Sequence, residues 1–139
     1  MARIYRTTDR ISLSVDDLTI VISPLSVHQK ALVEEAAKGG GTSNLLKASL
    51  EAVRYSLKDI RGVVDSDDKE YTLEFNPDGS LTDQCLDDIF NIQESTKLIS
   101  IALNLVNGVP EKFYDLSTGN PLEGVSFVES KEKPKSRKK

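Results

Sequence analysis

Acidic residues crowd one stretch of the chain, RGVVDSDDKEYTLEFNPDGSLTDQCLDDIF, from Arg61 to Phe90. Four of them fall within Asp65–Glu70, five more follow, and Cys85, the one cysteine of the chain, lies among them. Clustered carboxylates suit a divalent cation or a general acid and base, and a thiol suits nucleophilic attack where a histidine takes its proton. Each possibility makes a demand on spacing. A calcium loop starting at Asp65 places Asp67 correctly, but it puts Lys69 at a ligand position, Glu70 where glycine must turn the chain and Asn76 where a bidentate glutamate belongs. The calcium reading therefore fails. As general acid and base, Asp65, Asp67, Asp68 and Glu70 sit in what reads as a hydrated turn, where nothing shifts a carboxylate toward catalysis. Asp83, Asp87 and Asp88 form an acidic helix face beside Cys85, and His28 is the single histidine. One His and one Cys fall short of the three good protein ligands zinc needs, and a lone pair of this kind is more often structural than nucleophilic.

Other signatures are missing. There is no GxGxxG, P-loop or GxSxG, and Gly39-Gly40-Gly41 lacks the preceding strand and the Lys-Ser/Thr pair that cradle a phosphate. The residues thus give no catalytic set, no cofactor site and no metal site, and the expectation is a protein that is not an enzyme.

The elements around these residues follow from local signals. Ile11, Leu13 and Val15 alternate with Ser12 and Ser14, Leu18–Ile22 continues as an apolar run across Asp16-Asp17, and the pair predicts a hairpin. After Pro24, Ser26-Val-His-Gln29 has the form of a capping box opening a helix to about Lys38. Gly39-Gly40-Gly41 breaks it and reads as a hinge between helices. From Thr42 or Ser43, Leu46, Leu50, Val53, Leu57 and Ile60 recur at helical spacing as one apolar stripe, closed by Gly62.

Val63-Val64 with Tyr71, Leu73 and Phe75 predicts a second hairpin turning at Asp65–Lys69, and Asn76-Pro-Asp-Gly79 is a further turn. Thr82 caps a helix to about Asn91, with Asp83 at the positive end of its dipole and Leu81 placed to staple onto Leu86. A last helix carries Leu98, Ile99, Ala102, Leu105 and Val106 and ends at Gly108 and Pro110. Beyond Phe113 the chain is rich in turn residues. The order ββ, αα, ββ, αα predicts a small α+β domain over residues 1–128, two β-hairpins packed with about four helices, followed by a disordered, flexible basic tail over 129–139.

Composition agrees with that scale: 139 residues, 38% apolar, 6% aromatic and no tryptophan fit one modest core and make a poor base-stacking or sugar-binding surface. A single cysteine forms no internal disulfide, and no apolar run approaches the roughly 18 residues of a membrane span, so a cytoplasmic setting is expected. Net charge is −4, but Lys131, Lys133, Lys135, Arg137, Lys138 and Lys139 against Glu129 and Glu132 give the tail +4 and leave −8 on residues 1–128. Such a body repels nucleic acid and anionic lipid and favours a basic or amphipathic protein partner.

RISLSVDDLTIVISPLS near the start, a polar helical middle, then SLKDIRGVVDSDDKEYTLEF with NPDGSLTDQCLDDIFNI and a Lys-rich end together resemble the tail assembly chaperones of long-tailed bacteriophages, over about Arg10–Asn107. The resemblance implies a non-enzymatic factor of the host cytoplasm. It would bind the tape measure protein, keep its long apolar helices soluble, help recruit tail tube protein, and be absent from the mature virion. It also implies that a longer product made by ribosomal frameshifting can exist beside this one. The family has no fixed ligand set, so no residue is carried over from it.

The physical reading adds a candidate partner-binding stripe, Leu46, Leu50, Val53 and Leu57, able to hold a client helix by its i, i+3, i+4 and i+7 positions, with the Leu98–Val106 helix as a second candidate. The glycine hinge would let a helix swing away or let several copies assemble as a homo-oligomer. Packing inside the domain is the competing explanation of the same stripe. The alternative functions are a structural virion component such as a connector or tail completion protein, then a nucleic-acid regulator using the basic tail, then a hydrolase dependent on Cys85.

Overall fold

A computed structural model describes residues 3–128 of the chain. Strand β1 (Ile11–Val15) and strand β2 (Leu18–Ile22) form the first hairpin, with Val15 opposite Leu18 so that Asp16-Asp17 is a two-residue turn. Such turns need positive φ, and Asp16 supplies it at φ 53, a conformation that aspartate tolerates better than most residues. Ile11, Leu13 and Val15 point into the core with Leu18, Ile20 and Ile22 opposite them, while Thr19 faces solvent. Period-two alternation alone decides that face.

Helix α1 (Val27–Ala37) begins at the expected capping box: the Gln29 amide donates to Ser26 Oγ at 3.1 Å and the Ser26 amide donates to Gln29 Oε1 at 2.9 Å. Val33 is its one fully buried residue, and its main packing is against helix α2 (Gly41–Ser56). Gly39, Gly40 and Gly41 join the two helices with φ of 94, 72 and 84. Three successive left-handed residues are tolerable only without Cβ atoms, which is why the triplet stands there.

The apolar stripe does not remain helical to Ile60. Helix α2 stops at Ser56, and Leu57–Arg61 is strand β3, paired antiparallel with β2. The spacing misleads because of a β-bulge. Ile22 lies opposite Leu57 and Val21 opposite Asp59, so Lys58 is an extra residue in the ladder, and Leu57 and Ile60 reach the same buried face although they are three apart. A bulged strand thereby imitates helical periodicity.

Gly62 (φ 98) follows, where an added Cβ would stand 2.9 Å from the Asp17 carbonyl oxygen. The second hairpin is present as a narrow ribbon: the Tyr71 amide donates to the Val63 carbonyl at 2.9 Å, the Asp65 amide to the Lys69 carbonyl at 2.8 Å, and Val64 bridges Glu70. The Asn76–Gly79 turn brings Phe75 opposite Leu81. Helix α3 (Asp83–Ile89) is capped by Thr82, whose Oγ1 accepts from the Cys85 amide at 3.2 Å. Helix α4 (Ser95–Asn104) runs into a 3-10 turn at Leu105–Asn107, and Gly108 ends it at φ 99.

A fourth strand, β4 (Val125–Phe127), lies in the region read as turns alone, and it pairs antiparallel with β1. The sheet order is β3-β2-β1-β4. One face of this sheet packs with α2, α3 and α4 around Leu13, Ile20, Ile22, Val53, Ile60, Leu86, Ile101 and Leu105, all buried in one core. The architecture is α+β, a small single domain. The basic tail over 129–139 lies outside the described residues.

Candidate functional site

The acidic stretch resolves into turn chemistry. Asp65 Oδ1 accepts from the amides of Asp67 at 2.8 Å and Lys69 at 3.0 Å, an Asx turn that spends the carboxylate on its own backbone. Asp67, Asp68 and Glu70 are exposed, and Asp68 closes the turn at φ 63. Asp78 works in the same way in the next turn. Its Oδ1 accepts from the Ser80 amide and hydroxyl at 3.0 and 2.6 Å, which holds its pKa below the usual aspartate value. Among the described residues no three His, Cys, Asp or Glu side chains are grouped to hold a metal ion.

Cys85 is 2% exposed on α3, its Sγ accepting from the Glu74 amide at 3.1 Å. Beside it the Tyr71 hydroxyl donates to Asp88 Oδ2 at 2.7 Å, and burial, with the Cys85 and Asp88 side chains close to it, pushes the phenol well above its ordinary pKa. These contacts pin the second hairpin to α3. A buried thiol of this kind is unreactive, and His28 is exposed on α1, so the two do not form a nucleophilic pair.

The stripe proposed for partner binding divides in two. Val53 (1% exposed) and Leu57 (3% exposed) belong to the core, and Leu57 is on a strand. Neither can meet a partner while the fold is closed, and for these two residues packing inside the domain is the correct explanation. Leu50 is half-buried against the core. Leu46 is 52% exposed, and Leu45, which the stripe did not include, is 58% exposed beside it. In the second candidate helix Leu98, Ile101, Ala102 and Leu105 are buried, leaving Ile99, Leu103 and Val106 half-buried.

Leu45 and Leu46 stand near the head of α2, at the corner where the Asn44 side-chain amide donates to the Lys38 carbonyl at 2.8 Å and Lys38 pairs with Glu35 at 3.6 Å. Two adjacent exposed leucines within a rim of charge are a small apolar ledge. Arg54 further along α2 was not singled out in the sequence. Its Nη1 donates to Asp83 Oδ1 at 2.9 Å and its carbonyl accepts from the Leu81 amide at 3.0 Å, fastening the start of α3 to α2. Its pairing with Glu51 at 3.5 Å is local to α2, but nothing in the sequence marks the fastening to α3, because those partners lie 27 and 29 residues away.

No family model, curated protein or solved structure matches the chain. Among the described residues no helix is long and apolar enough to cross a membrane.

Proposed function

We propose that the chain is a non-enzymatic tail assembly chaperone of a long-tailed bacteriophage, which binds the tape measure protein in the host cytoplasm, helps recruit tail tube protein and leaves before the particle is complete. The observation that carries this reading is the apolar ledge of Leu45 and Leu46 near the head of α2, the helix on which α1 packs. Helix α1 buries one side chain fully and joins α2 through three glycines, two of which have open space where a Cβ would be. That geometry supports a client helix lying along α2, next to α1 or in its place, held by the ledge and by apolar positions that α1 shields. The acidity of the body favours client segments that carry lysine or arginine beside their apolar face.

The test is an affinity pull-down of the tagged chain from producing cells, with mass spectrometry of captured proteins and of purified particles. Recovery of a very long helical protein and a tube subunit, with this chain missing from particles, supports the chaperone. Stoichiometric presence inside particles would instead make it a virion component, and capture of no phage protein would sink both readings. A Leu45→Asp/Leu46→Asp variant that stays folded yet captures its client unchanged would place the binding surface elsewhere.

A further inference from the structure

Strand β4 is held differently from the rest of the sheet. Of the described residues after Leu105 only Phe113 belongs to the buried core; Val125 is half-buried, and Ser126, Phe127 and Val128 are exposed. Little apolar area therefore secures the strand. Two backbone bonds flank its ladder to β1, the Asp16 amide donating to the Gly124 carbonyl at 2.8 Å and the Val128 amide to the Ser12 carbonyl at 2.9 Å. The Phe127 ring leans on Phe113 at 5.8 Å.

The remaining attachment is ionic. Lys97 Nζ on α4 donates to both carboxylate oxygens of Asp16 at 2.9 Å and to the Glu123 carbonyl at 2.8 Å. One ammonium thus ties α4, the β1–β2 turn and the chain entering β4. Gly124 completes the joint, because a Cβ there would run into Asp16 Oδ1, and its φ of 76 is unsuited to other residues.

We propose that Glu123–Val128 is a latch that lifts off β1 while the rest of the fold stays closed, with the Lys97–Asp16 clasp as its fastening. Regions that bury few apolar contacts open at lower cost than the core, and the fastening ion pair, part-exposed on both sides, weakens as salt screens it. Opening bares the outward backbone groups of Ser12, Ser14 and Asp16, an edge on which another strand can pair.

Native-state hydrogen exchange of the full chain tests this. Amides of Ser126 and Val128 should exchange at least about tenfold faster than those of Ile101 and Ala102 in α4. Lys97→Met, Asp16→Asn and 1 M salt should each speed the latch amides by about fivefold more and leave α4 unchanged. Gly124→Ala should act in the same direction. Equal exchange of latch and α4 in the unmodified chain, or acceleration of both together by the variants or by salt, overturns the proposal. The salt arm needs no variant, so a substitution that fails to fold does not remove the test.

Discussion

Replacing Val53 by alanine separates core from surface along α2. The side chain is 1% exposed among residues of the sheet and of α4, including Ile20, Ile22 and Leu98. Two methyl groups are lost, worth about 1.6 kcal/mol of transfer free energy at roughly 0.8 kcal/mol per carbon. The unfilled space adds to this, since neighbours tied to a sheet relax only in part, so the total should be about 2–3 kcal/mol. For a domain of this length, about 3–4 °C of Tm accompanies each kcal/mol, which predicts a fall of about 10 °C. Leu46→Ala, on a half-exposed side chain of the same helix, should stay within about 0.5 kcal/mol of the unmodified protein. Urea unfolding followed by circular dichroism gives both values, and an unchanged dependence on urea would show that the two variants lose stability rather than change the exposed area. Equal destabilisation by the two substitutions would refute the division of the stripe, and a neutral Val53→Ala would refute the packing of α2 on the sheet.

Three further outcomes follow from local geometry. Ser26→Ala removes one half of the α1 capping box and should cost about 1 kcal/mol, read by thermal unfolding. Gly62→Ala meets both a φ of 98 and the Asp17 carbonyl, so a loss of about 1–3 kcal/mol is expected, and a neutral result would mean that the Asp17 carbonyl does not obstruct a Cβ at position 62. Tyr71 has its pKa raised in the folded state, chiefly by burial, so the folded protein holds that proton more tightly than the unfolded chain does. Its contribution is complete below the unfolded value near 10 and declines as pH climbs above it, and Tyr71→Phe should remove that part of the alkaline loss of stability in unfolding curves taken from pH 8 to 11.

What the sequence disclosed was whatever is encoded between near neighbours. The Ser26–Gln29 box, the Asp16-Asp17 and Asn76–Gly79 turns, the Thr82 cap and the Gly108 stop depend on residues within about four positions of one another, and all are present. Strand β3 was hidden because Lys58 bulges out of the ladder and gives Leu57 and Ile60 the spacing of a helix. Strand β4 was hidden because its three residues are specified by pairing with β1 and not by their own pattern. For the candidate site the limit was different in kind. Periodicity reports which residues share a face, whereas only the packed molecule determines that Val53 faces the sheet and Leu46 faces water.

The position of β1 has a consequence for the order in which the molecule is made. Its inner edge meets β2 within a few residues of synthesis, but its outer edge has to wait for Val125–Phe127, after helices α1 to α4 have left the ribosome. Contacts this distant along the chain form slowly, because loop closure must precede their reward. A nascent chain can therefore assemble the β1–β2–β3 sheet with its helices while one flank of β1 is still bare. Strand β4 then seals the sheet, so a growing chain halted before Val125 would carry an open strand into a crowded cell.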